Sequence, residues 1–140
     1  MKERGLQRFI NAQDGGGTYT RALAELHQGR KTSHWMWFVF PQVAGLGQSE
    51  MSRRYAIDSL AEARAYLDHP VLGPRLVECC QALLSHEGVS AVQILGGIDA
   101  IKLRSSMTLF ARADPKAGVF QQVLDRYFDG EADAATARLP

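Results

Sequence analysis

Apolar residues recur along most of this chain at helical spacing. Leu6, Phe9 and Ile10 fall at i, i+3 and i+4 and predict a first helix over residues 5–12. Gly15, Gly16 and Gly17 end it, because consecutive glycines are costly to order in a helix. Thr18 is a cap for the next helix, Tyr19, Ala22, Leu23 and Leu26 form its stripe, and Gly29 stops it. A weak short helix follows over 50–57. The Ser59–Glu62 capping box then opens one to about residue 68. Pro70 suits the first turn of a helix running to about His86, with Leu72, Leu76, Cys79, Cys80, Leu83 and Leu84 on one face. Ser90–Gln93 is a second capping box, and Gly96–Gly97 closes the short helix it starts. Asp99 begins a helix of about 14 residues through Leu103, Met107 and Phe110. Asp114–Pro115 sets up the last helix, with Phe120, Val123, Leu124, Tyr127 and Phe128 inward and Gly130 at its end. No segment alternates as a hairpin strand does. The expected class is all-α: a compact single-domain bundle of about six to eight helices, some short. The domain covers 1–130, with a C-terminal tail, 131–140, that frays.

One segment resists this pattern. In His34-Trp35-Met36-Trp37-Phe38-Val39-Phe40-Pro41-Gln42 nearly every residue is apolar, so the period is ambiguous. A helix groups His34, Trp37 and Phe38; a strand groups His34, Met36, Phe38 and Phe40. Pro41 forces Phe40 into extended geometry and ends the segment either way. The helical neighbours favour a short helix. Residues 42–48, with Gly45 and Gly47, read as a loop.

Composition narrows the class of function. The chain has 140 residues, 46% hydrophobic and 22% charged, enough for a core without staples. A formal charge of +1 gives no global electrostatic case for nucleic acid or membrane. No apolar run approaches the roughly 20 residues of a membrane helix. The first eight residues lack the apolar stretch of a signal peptide. Two adjacent cysteines, Cys79 and Cys80, are too few for a disulfide framework. The expected setting is the cytoplasm.

Several familiar chemistries can be set aside. His27, His34, His69 and His86 are scattered, with no ligand at metal spacing, so no metal site is expected. The two cysteines fall on a helix stripe as small hydrophobes. Gly15-Gly16-Gly17-Thr18 has neither the spacing nor the lysine of a phosphate loop, and no cofactor is expected. Lys102, Ser105 and Ser106 are different. Spaced i, i+3 and i+4, they join a cation to two small hydroxyls on a helix side away from Leu103 and Met107. Their order reverses that of the Ser-x-x-Lys acyl-enzymes, so that mechanism is not inferred. The aromatic run is either core or a ligand wall, with His34 and Gln42 at its ends and His34 as an acid or base near neutrality.

These segments coincide with a known signature. Lys31-x-x-His34 through Gln42, Gly45-Leu46-Gly47, Arg54-Tyr55, Tyr66-Leu67 with His69, Leu72-Gly73-x-Arg75-Leu76, and Asp99-x-x-Lys102-Leu103-x-Ser105 through Phe110 closely resemble domain-of-unknown-function family 1810. Members are often described as calpastatin-like. A globular pattern does not fit that label, since that inhibitor type is a long disordered repeat protein. The resemblance implies a mostly helical bundle and no established activity. It points to His34, Trp35, Trp37, Gln42, Tyr55, Lys102, Ser105 and Ser106 as the family's polar and aromatic positions. The expected function is a small-molecule pocket, binding or enzymatic, between the aromatic run and the Lys-Ser-Ser helix, for a flat, anionic, nucleotide-like ligand. His34 and Lys102 would carry any catalysis, and Trp35, Trp37, Gln42, Tyr55, Ser105 and Ser106 would bind. The alternative is a non-enzymatic interaction or regulatory module presenting exposed aromatics.

Overall fold

The computed structural model describes residues 5–139, and among them there is no strand. Helices α1 (Gln7–Asp14) and α2 (Thr18–Gln28) are joined by a glycine turn. Gly16 and Gly17 there have φ of 62° and 70°, a left-handed geometry that explains why glycine occupies them. The chain then passes through α3 (Met36–Val39), α4 (Glu50–Arg54), α5 (Leu60–Asp68), α6 (Leu72–Leu84) and α7 (Ala91–Leu95). It ends with α8 (Gly97–Ala113), α9 (Val119–Phe128) and α10 (Ala134–Ala137).

Side-chain caps start α4, α5, α7 and α10. The Ser90–Gln93 box at α7 is complete, with both reciprocal bonds formed. At α5 only half of the expected box forms: Ser59 accepts from the Glu62 amide, while the Glu62 carboxylate takes the Asp58 amide instead. Other expected bounds shift by a few residues. The first helix spans Gln7–Asp14, and the short one ends at Arg54. Ile57 pairs instead with Val43 in an isolated parallel bridge. Helix α6 begins at Leu72, after Pro70, because the His69 ring accepts the Val71 and Leu72 amides. Helix α8 starts two residues before Asp99. Helix α9 starts beyond Pro115, at Val119.

Helix α8 is the centre of the molecule and packs against α5, α7, α9 and α10. Its residues Leu103 and Ser105 to Phe110 are all buried, so it has no wide polar face. Helices α2, α5 and α9 surround α6, and α1 covers α2 and α3. The core joins Phe9, Trp35, Phe40, Tyr66, Phe110 and Phe120. The tail, expected to fray, carries α10 docked on α8. Arg104 donates to the Glu131 and Ala132 carbonyls, Thr108 accepts the Asp133 amide and Arg112 donates to the Thr136 carbonyl.

Candidate functional site

The aromatic run forms a single helical turn, Met36–Val39, entered from Trp35 in a non-helical conformation at φ −149° and ψ 2°. His34 precedes this turn and is exposed, so it does not share a helix face with Trp37 and Phe38. Glu25 of α2 sets the entry geometry. Its buried carboxylate accepts from the Thr32 and Ser33 amides at 2.8 and 3.1 Å, the Ser33 hydroxyl at 2.6 Å and the Trp35 indole at 2.9 Å. Burial alone would raise the Glu25 pKa, but the Ser33 hydroxyl, the Thr32 amide and the remaining donors hold it down at about 2. Trp35 therefore has its buried N–H satisfied and is fully enclosed, packed on Phe40.

Two lysines approach this run. Lys31, fixed by its amide to the Ile94 carbonyl, places its ammonium 5.3 Å from the Trp35 ring centre. Lys102 of α8 sits 5.3 Å over Trp37, the half-buried tryptophan. Asp99 lies between them, 2.8 Å from Lys31 and 3.8 Å from Lys102. The side chains of Lys31, Asp99 and Lys102 are only 10%, 17% and 20% exposed, so solvent screens them less than it does surface charges. Asp99, Lys102 and Ser106 follow one another at i, i+3 and i+7 along the same stripe of α8.

The other positions divide. Ser105 and Ser106 are 2% and 0% exposed, not on a solvated side as their spacing suggested. The Ser105 hydroxyl donates back to the Ile101 carbonyl at 3.3 Å. Ser106 has a buried hydroxyl with no hydrogen-bond partner among the described residues. Tyr55 is buried at the other end of the run, against Phe9 and Phe38. Gln42 is half-buried, and its carbonyl accepts the Ile57 amide. Trp35, Trp37 and Lys102 thus belong to one neighbourhood, while Tyr55 packs with α1.

Sequence reasoning left out Glu25, Lys31 and Asp99 as site residues. Lys31-x-x-His34 and Asp99-x-x-Lys102 stood in the resemblance, but nothing local links a lysine after α2 to a carboxylate opening α8. Cys79 and Cys80 are buried, and burial pushes Cys79 up to about 12 and Cys80 well above the usual thiol range. No group of three or more His, Cys, Asp or Glu that could hold a metal occurs among the described residues. Surface grooves of about 540 and 350 Å³ lie elsewhere, the larger beside Pro74, Val77 and Phe120 and the smaller beside Thr108, Leu124 and Ala137.

An all-helical protein with an aromatic segment held against a lysine-bearing central helix is the class these observations define. The chain belongs to the family described as Protein of unknown function (DUF1810), whose model matches residues 3–139. It is similar to the crystal structure of the conserved hypothetical protein Rv1873 from Mycobacterium tuberculosis. The identity is 49% over 94% of this chain and 92% of that one, with a TM-score of 0.90. No curated protein matches the chain. No helix among the described residues is long and apolar enough to cross a membrane.

Proposed function

We propose that the protein binds a small, planar, anionic molecule, of the nucleotide class, between the aromatic run and the Lys102–Ser106 stripe of α8. One observation carries the proposal: the Lys102 ammonium lies 5.3 Å over Trp37, at an incompletely buried spot where an aromatic face and a cation meet. That pairing suits a ligand with a flat ring and a negative group. The orphaned Ser106 hydroxyl, one turn along α8 from Lys102, adds polar capacity on the same stripe. If turnover accompanies binding, exposed His34 and half-buried Lys102 are the groups to move a proton, with half-buried Trp37 and Gln42 as wall residues. The proposed setting is cytoplasmic, with neither nucleic acid nor membrane as partner. The rival reading, an interaction module built on exposed aromatics, is less favoured. The exposed large hydrophobic residues among those described are aliphatic: Val89, Val92, Ile98 and Ile101.

A thermal-shift screen with nucleotides, sugar phosphates and other metabolites tests this. A ligand at a hundred times its Kd adds about 2.7 kcal/mol of stability, a readily measured shift. The expected hit is lost in Lys102→Ala and weakened in His34→Ala, but kept in Lys116→Ala. No hit, or a hit retained by all three variants, would sink the proposal.

A further inference from the structure

We infer that Asp99 sets the charge class of this ligand, so that the site takes a singly charged aromatic anion, a carboxylate or phosphodiester, in preference to a dianionic phosphomonoester. The inference rests on the reading just proposed and narrows it. Lys31 and Lys102 bring two positive charges and Asp99 returns one negative charge. The carboxylate is not shared equally. Lys31 holds it at 2.8 Å, whereas Lys102 stands 3.8 Å away. Lys31 is therefore committed to Asp99, and Lys102 is the cation with donors to offer. One negative charge from a ligand leaves the Lys31–Asp99–Lys102 set neutral. A second would find no cation that Asp99 does not already share, and would face the carboxylate itself. The three side chains are at most 20% exposed, so this imbalance is poorly screened. Glu25 strengthens the limit. Its ionised carboxylate stands on the indole nitrogen of Trp35, whose ring the Lys31 ammonium faces. His34 is exposed and weighs less in the balance.

The test uses one base with two charges. Adenosine 3′,5′-cyclic monophosphate is a monoanion, and adenosine 5′-monophosphate is a dianion at pH 8, its second phosphate pKa being about 6. Affinities are read from the amide and indole N–H shifts of the ¹⁵N-labelled full chain, with the Trp37 indole as the local reporter. The wild type is expected to prefer the cyclic compound at pH 8. Asp99→Asn, nearly the same shape, should move the ratio of affinities about tenfold toward the dianion. A second arm needs no variant. As pH falls from 8 to 5.5 the 5′-phosphate becomes a monoanion, and its affinity for wild type should rise relative to that of the cyclic compound. Using the ratio cancels pH effects common to both ligands. Binding with an unchanged ratio in both arms, or a shift toward the monoanion in Asp99→Asn, overturns the charge inference and leaves the site standing. Binding of neither compound, to wild type or variant, overturns the nucleotide-class site and this inference together.

Discussion

Glu25 shows how one residue can direct a segment it does not belong to. It occupies a helix position next to buried Leu26, and its charge is tolerated because four donors converge on it. Glu25→Gln keeps the shape but turns one acceptor oxygen into a donor facing other donors. Urea denaturation should show a loss of about 2–4 kcal/mol; a loss under 0.5 kcal/mol would show that the clamp is unimportant. The acid limb follows from the same group. Its folded pKa of about 2 lies below the unfolded value of 4.5, so its contribution is whole above pH 4.5. That contribution falls as pH drops from about 4.5 toward 2, by roughly 3 kcal/mol in all. Stability profiles over that range should be steeper for wild type than for Glu25→Gln. This residue was not legible in the sequence, where a glutamate between Ala24 and Leu26 resembles any solvated helix position.

Among the elements, the α5–α6 corner depends on a close approach. A Cβ added to Gly73 would stand 2.1 Å from the Leu67 carbonyl oxygen, a backbone atom that cannot rotate away. Gly73→Ala is therefore expected to cost about 3 kcal/mol or lower the folded fraction outright, checked by thermal and chemical melts. Gly88→Ala makes an instructive contrast, because its strain comes from a φ of 73° in open space, and its cost should be nearer 1 kcal/mol. At this scale the sequence was informative. The Ser90 box, the Gly29 stop and the apolar stripes of α6 and α9 are encoded within a few residues of where they act. The aromatic run was not legible in this way. With nearly every side chain apolar, no period could choose its conformation. The non-helical entry at Trp35, one helical turn and the Pro41 exit are selected by Glu25, by the bridge to Ile57 and by the core around them.

At the scale of the molecule, α8 connects two regions through opposite stripes. Asp99, Lys102 and Ser106 follow one side, and Arg104, Thr108 and Arg112 follow the other and hold the tail. Arg104→Ala removes the bonds to the Glu131 and Ala132 carbonyls. Hydrogen exchange at residues 131–139 should then quicken about tenfold or more, while the amides of α6 stay protected. Equal acceleration throughout would mean that the tail and core open together. Unchanged exchange would mean that the side chain holds nothing.

Lys102, Ser105 and Ser106 mark the division between what the chain states locally and what its fold adds. By itself the sequence determined an all-helical class, the Ser90 cap, the Gly29 stop and most buried apolar faces, because spacing, capping and turn chemistry act over three or four residues; the expected Thr18 cap is not made, since Thr18 is the first residue of α2. It singled out the aromatic run and Lys102 by composition and resemblance. It did not determine that Ser105 and Ser106 are enclosed, that Glu25 anchors Trp35, or that Asp99 lies between Lys31 and Lys102. Those arrangements need segments distant in the chain to meet. Only tertiary packing brings them together, and the desolvation that accompanies it makes the balance of charge around Asp99 matter.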